Sequence, residues 1–380
     1  MSNWPVKTLG DCALTTSGVT PSRDDMAYWS PPEVPWVKTG EVNFAPITKT
    51  QEFISKMALD HCSLSLLPLK SVLIAITGEG ITRGRSAVLE IEATTNQHCF
   101  AIFPNKTWDS YFLQHWLMSQ YGNLRQLSSD RGGSRAALSG AQLKALQIPV
   151  PPLEEQRRIA ARLKAQLAEA ETARQAAQEQ AKEVANLADA IVINSLRDGS
   201  TVSCCLGDVL DEIKQGIGSE WVKFPVLGAT RDGLAPARES PGKQAPKYKP
   251  VNSGTVFYNP MRILIGSIAF VDDDDLVGIT SPDYVVLRGK TGVIVSRWFY
   301  FWMRSSLGVR CIHSLARGAV RERMLFNRLA EGTIELPSFA AQQKAAIALK
   351  EFKQLRHSIE LKLAEIELLP QRLLAQAFAS

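Results

Sequence analysis

The feature that most limits what this chain can fold into is that it is written twice. A shift of 186 residues, from Pro151 to Pro337, sets Trp116 on Trp302, Ser119 on Ser305, Gly122 on Gly308, Arg135 on Arg321 and Leu143 on Leu329. It also sets Ile148 on Ile334, Gln156 on Gln342 and Leu163 on Leu349, all in one ungapped register. Upstream the offset drifts as loop insertions would make it: "LGD" at Leu9 to Asp11 recurs at Leu206 to Asp208, and "GRSAV" from Gly84 resembles "GSIAF" from Gly266. Self-similarity in a fixed order means one architecture built twice. With 380 residues, each copy is long enough to bury its own core.

Each copy has two parts. The first, residues 1–152 and 200–338, mixes short apolar runs with turn residues. Ser71 to Gly78, Thr255 to Pro260, Ile263 to Val271 and Asp283 to Leu287 read as buried strands bounded by Gly, Pro and Asp. Helices are expected over "WDSYFLQHWLMSQYG" and "VSRWFYFWMRSSLG". The second part of each copy, residues 153–199 and 339–380, is helical: no proline falls between Leu153 and Leu196, and Ala, Gln, Glu and Leu dominate. Apolar residues step by three and four through Ile159, Leu163, Leu167, Ala170, Ala173 and Ala177, and through Leu355, Ile359, Leu363 and Ile366 in the second copy. About 40 residues make a rod of ~60 Å, too long to be buried by one small domain. The two rods are expected to pair as an antiparallel coiled coil, with a bend at Pro370. The fold class is therefore α+β: two pseudo-repeated domains of short strands and helices, and two long helices.

The 45% hydrophobic content with no apolar run near ~20 residues predicts a soluble protein. The start "MSNWPVKTLGDCAL" lacks a basic region followed by an apolar block, and the six cysteines show no framework spacing, so a reducing cytoplasm is the expected location. Catalytic patterns fail one by one. "GEGITRGRS" lacks the Lys-Ser/Thr pair of a phosphate loop and reads as a tight connection with two exposed arginines. "YNPMR" lacks the second proline and the aromatic of an adenine methyltransferase, and "SPDYVVLRGK" puts Arg288 where a metal-dependent nuclease needs an acid. The run Asp272 to Asp275 sits at an expected turn, where neighbouring side chains point apart into solvent, and no His or Cys cluster has ligand spacing. Neither a metal site nor a catalytic residue is assigned.

The basic residues are better organised. Residues 297–328 hold seven arginines and one acid, and residues 111–142 hold Arg125, Arg131 and Arg135 against Asp130 alone. Arginine's planar fork suits phosphate oxygens and the guanine edge, and neighbouring glycines let backbone approach a phosphate. The candidate polyanion-binding residues are Lys38, Arg83, Arg85, Arg131 and Arg135 in the first copy, and Lys243, Lys247, Lys249, Arg262, Arg317, Arg321 and Arg323 in the second. The loops that carry them differ between copies, as two readers of different sequences on a common frame would require.

The stretch "IPVPPLEEQRRIAARL", preceded by "GGSRAALSGAQLKALQ" and echoed by "IELPSFAAQQ" and "LLPQRLLAQAF", resembles the specificity subunit of Type I restriction-modification systems, and the resemblance covers the whole chain. It departs in the second copy, where Ser338 replaces the second proline and Ala340-Ala341 replace Glu154-Glu155. The resemblance implies a non-catalytic subunit with target-recognition domains at 1–152 and 200–338, each reading half of a bipartite DNA site, held apart by the helices 153–199 and 339–380. It implies two modification subunits as partners, supplying S-adenosylmethionine and adenine methylation, and motor-nuclease (restriction) subunits able to join them. This chain itself is expected to bind no cofactor and no membrane. The joint and rod residues Pro151, Pro152, Leu153, Gln156, Ile159, Leu163, Leu355, Ile359, Leu363 and Ile366 are the expected partner-helix interface. Two other readings stay open: a self-contained DNA methyltransferase or nuclease, and a coiled-coil scaffold that binds only protein.

Overall fold

In the computed structural model the residues described are 4–78, 80–129, 136–197, 199–237, 241, 244–316 and 323–378. They fall into two units: Met1–Gln175 with Ala364–Ser380, and Ala176–Leu363. Each is α+β, and the repeat in the sequence is a repeat in the fold.

The first unit is built on a four-stranded antiparallel sheet in the order Thr15–Ser17, Cys99–Ile102, Val72–Ala75, Ser86–Val88. The second has the matching sheet Leu210–Glu212, Val285–Gly289, Thr255–Tyr258, Ile268–Val271. The central strands Val72–Ala75, Cys99–Ile102 and Thr255–Tyr258 are buried along their whole length, which is why they read as apolar runs without alternation. The expected strand from Ile263 begins only at Ile268. Gly266, at φ +84°, closes a 3-10 turn over Ile263–Ile265, and that turn takes the first half of the apolar run out of the sheet.

A pair of helices covers each sheet, Ser110–Ser119 with Tyr121–Ser129 and Ser296–Arg304 with Ser306–Leu315. A two-stranded ribbon then ties the start of each unit to its exit: Val6–Thr8 with Gln147–Pro149, and Val202–Cys205 with Thr333–Leu336. The recurring "LGD" follows that ribbon because its glycine has close neighbours. A Cβ on Gly10 would lie 3.0 Å from the Cβ of Lys144, and one on Gly207 would lie 3.0 Å from the Cβ of Ala330, the residue 186 positions on. The first unit adds a small sheet, Glu52–Ile54, Val34–Val37 and Thr94–Thr95. The second instead carries the hairpin Leu227–Thr230 with Gly233–Pro236 and the antiparallel pair Lys249–Val251 with Gly278–Thr280.

The long helices run over Leu153–Ser195 and Phe339–Phe378, 43 and 40 residues, and the second continues through Pro370. They contribute to the domain cores at both ends. In the first unit Ile159, Ala160 and Leu163 from the start of one helix share a core with Leu374 and Ala377 from the end of the other. In the second unit Ala345, Ala346 and Leu349 share a core with Ala188, Ile191 and Val192. A helix start beside a helix end in one core is the antiparallel arrangement the stripes anticipate.

Candidate nucleic-acid interface

In both units the joint between globular part and rod is held by one buried glutamine. The Gln156 side chain accepts from the Asp109 backbone N–H at 2.8 Å and donates to the carbonyls of Thr107 at 2.9 Å and Pro151 at 2.8 Å. Gln342 accepts from Val295 N–H at 2.8 Å and donates to the carbonyls of Val293 at 3.1 Å and Pro337 at 2.9 Å. All six partners stand in the 186-residue register, and both side chains are fully buried. This role was invisible in the motif, which marks the residue without its partners. Where Ser338 replaces proline, its hydroxyl accepts from Ala341 N–H at 3.2 Å and caps the second helix, standing in for the acidic first turn of Glu154 and Glu155.

Of the other expected interface residues, Pro151, Ile159, Leu163, Ile359 and Ile366 are buried and Leu363 is half-buried. Pro152, Leu153 and Leu355 are exposed. In the second unit's share of the C-terminal helix, Ile347 and Leu361 are also exposed. With Leu355 they are exposed aliphatics spread over about 120° of the helix, with exposed Glu351, Gln354 and Ser358 between them.

The hairpin loop of each sheet is tied to the stretch that leads into a short helix, Gly140–Lys144 in the first unit and Phe326–Leu329 in the second. Leu138 N–H donates to the Ile76 carbonyl at 2.9 Å in the first unit, and Met324 N–H to the Pro260 carbonyl at 3.0 Å in the second. Arg131, Arg135, Lys243, Arg317 and Arg321 lie outside the described residues. Those that are described divide sharply by environment. Arg262 and Lys247 are exposed. Arg323 is exposed and pairs with Asp283 at 2.9 Å. Lys38 pairs with Glu52 at 2.7 Å, a carboxylate also held by Arg23. Lys249 donates to the Tyr284 carbonyl at 2.7 Å, and burial holds its ammonium below the ordinary lysine value.

Arg83 and Arg85 correct the reading of two exposed arginines. Arg83 is buried, with Nη1 donating to the Ala136 carbonyl at 2.9 Å, and Arg85 is half-buried with its guanidinium 5.5 Å from the Phe44 ring centre. Arginine's length lets it brace backbone from inside the loop, so charge count overstates what the surface offers.

The Asp272 to Asp275 run is also unlike its expectation. Asp272 is buried against Arg297, whose guanidinium also binds Asp273 at 2.9 Å, while Lys350 reaches Asp274 at 3.3 Å and Lys353 reaches Asp275 at 2.6 Å. Burial alone would raise the Asp272 carboxyl, but Arg297 outweighs it and holds the group below the usual carboxylate range. Arg297 and Lys350 stand 186 residues after Tyr111 and Lys164. Tyr111 donates from its hydroxyl to Glu90, and Lys164 sits 5.5 Å from the Tyr111 ring centre. The same join, from a carboxylate at the end of a strand to the covering helix and the rod, is thus made with different chemistry in each copy. Among the described residues no group of three or more His, Cys, Asp or Glu could hold a metal ion, and no helix is long and apolar enough to cross a membrane.

Residues 1–180 match the family described as Type I restriction modification DNA specificity domain. The chain is 27% identical over 154 residues to the Type I restriction enzyme EcoR124I/EcoR124II specificity subunit of Escherichia coli, covering 40% of this chain and 38% of that protein. It is 29% identical over 165 residues to the MjaIX specificity subunit of Methanocaldococcus jannaschii, covering 42% and 36%. These matches span little more than a third of each curated relative. Solved structures share the fold over nearly the whole chain. One, described as the structural basis of complex assembly and conformational transition of the type I R-M system, has a TM-score of 0.67 at 19% identity, covering 100% of this chain and 98% of its own. The HsdS subunit of Thermoanaerobacter tengcongensis has a TM-score of 0.53 at 19% identity, covering 99% and 97%. Residues 1–180 thus resemble a Type I restriction modification DNA specificity domain, and the repeated α+β unit with its repeated glutamine joint belongs to a fold that the chain shares over its length with the solved structures.

Proposed function

We propose that this chain is the DNA-recognition subunit of a Type I restriction-modification assembly, each unit reading one half of a bipartite site. The observation that carries the reading is the duplicated frame with unlike loops: sheet, helix pair, ribbon and glutamine joint are common to both units, while the basic and aliphatic residues at the hairpin ends differ. Two readers of different half-sites need that combination. In this reading the chain supplies no chemistry of its own. Modification subunits dock on the rods, where the exposed Ile347, Leu355 and Leu361 stand among polar side chains on a mixed surface, and they bring S-adenosylmethionine and the methyl transfer. Motor-nuclease subunits join that complex to cut DNA. The work is cytoplasmic and needs no membrane.

The test is co-expression with modification subunits followed by sequencing of methylated bases. A split motif with an unread gap is expected. A continuous motif, or methylation by the purified chain alone, would overturn the proposal in favour of a self-contained enzyme. Inserting four residues into the first rod, about 6 Å of helix, should widen the gap by one to two base pairs and leave both half-sites intact. A salt titration of binding separates this reading from a protein scaffold, because released counterions make affinity fall steeply with salt.

A further inference from the structure

We infer that the hairpin loop of residues 259–267 reads DNA by apolar contact: Leu264 and Ile265 press against thymine C5-methyl groups in the major groove while Arg262 meets the adjoining phosphates. This rests on the DNA-recognition reading above and names the side chains that would discriminate bases in the second unit.

The loop is held rigidly. Asn259 accepts from Met261 N–H at 3.0 Å through its side chain and from Arg262 N–H at 3.0 Å through its carbonyl, and Ser267 N–H returns to the Arg262 carbonyl at 3.1 Å. Ile263 is buried in the core and anchors the centre. Arg304 spans the base of the loop, donating to the carbonyls of Ile268 at 3.2 Å and Arg231 at 2.5 Å, and the Ser267 hydroxyl donates to Ala229 at 2.7 Å. On this fixed support three large aliphatic side chains stand in water: Met261 is 60% exposed, Leu264 38% and Ile265 64%. One exposed aliphatic is ordinary, but three within five residues on a braced loop indicate a partner that covers them.

The charge around them identifies that partner. Arg231 and His313 line the cleft beneath the loop and are exposed, as is Arg262 within the loop, and among the described residues no carboxylate lines that cleft. A surface that is apolar at its tip and cationic at its flanks suits a polyanion bearing methyl groups. The major groove, about 12 Å wide, admits a two-stranded ribbon and displays the thymine methyl as its one apolar mark. The corresponding loop of the first unit carries a single such residue, Ile81 at 64% exposure, with its carbonyl held by the Tyr121 hydroxyl at 2.7 Å. Unequal aliphatic tips on equivalent hairpins are what different half-sites call for.

Removal of only the methyl provides the test. The complex with modification subunits is titrated with duplex oligonucleotides carrying its methylated site, with thymine replaced by uracil in one half-site and then in the other. Uracil in one half-site should weaken wild-type binding about fourfold per methyl contacted, the transfer free energy of one such group. Ile265→Ser and Leu264→Ser should weaken binding similarly and abolish the difference between thymine and uracil in that half-site, leaving the response of the other half-site unchanged. Ile265→Val, which keeps part of the contact, should fall between, and unchanged thermal unfolding of the variants checks the fold. Variants that still distinguish thymine from uracil as wild type does would overturn the inference. So would a wild-type complex indifferent to uracil in both half-sites, or sites without thymine. If the wild-type complex bound no bipartite duplex at all, the DNA-recognition reading would fall instead.

Discussion

Replacing Gln156 with leucine keeps the volume of the side chain and removes all three of its hydrogen bonds. The Asp109 N–H and the carbonyls of Thr107 and Pro151 then lose this partner where Gln156 is fully buried. Each buried group left without a partner costs about 1–3 kcal/mol, and local relaxation recovers some of it, so about 3–5 kcal/mol is expected for the joint. The consequence should be local, because the bonds tie one loop to one helix start. Hydrogen exchange followed by mass spectrometry reads it directly: the Asp109 amide should exchange roughly a hundredfold faster or more, since about 1.4 kcal/mol corresponds to tenfold. Gln342→Leu should do the same at Val295 and leave Asp109 protected. Exchange at Asp109 within threefold of wild type in Gln156→Leu would refute the claim that this side chain holds the joint.

Two further outcomes follow from groups in the helix pairs. His115 is buried with Nδ1 unpartnered, and burial pushes its imidazole down to about 4, so the unfolded chain binds the extra proton between that value and 6.5. Stability of the first unit should therefore fall as pH drops through that window, by about 3 kcal/mol in all, and His115→Phe, the residue found at Phe301 in the repeat, should flatten the profile in urea unfolding. Arg297→Met leaves Asp272 buried beside Lys353 alone. The second unit should lose about 2–4 kcal/mol in the same assay, and a loss under 0.5 would show the Asp272 pair to be incidental.

Much of the frame was legible because repetition samples each constraint twice. The ribbon strands at Ile148 and Ile334 and both rods stand in the shared register, and the paired "LGD" turns in the common order of landmarks before it. Side-chain partners were not legible, because a motif marks a residue without what it bonds to, and in the loops the offset drifts as well. Nothing in the run Arg297 to Arg328 tells that Arg297 neutralises buried Asp272 or that Arg304 braces a hairpin from within. Nor does "GITRGRS" tell that Arg83 turns inward to the Ala136 carbonyl. Composition counts charges, whereas a surface presents only those that no nearby carbonyl or carboxylate has claimed. The aliphatic tip at Leu264 and Ile265 escaped for the opposite reason: an apolar run reads as a strand until Gly266 breaks it.

The shared cores also set an order of assembly during synthesis. The second unit, Ala176–Leu363, is continuous in the chain and can close as soon as it leaves the ribosome. The first unit is made earlier, yet its core waits for Leu374 and Ala377, and Phe112 waits for the edge of Phe378, 5.5 Å between ring centres. Until those residues arrive, Ile159, Leu163 and Phe112 lack part of their cover. The half translated first is thus the half finished last, and contacts of that sequence separation form slowly.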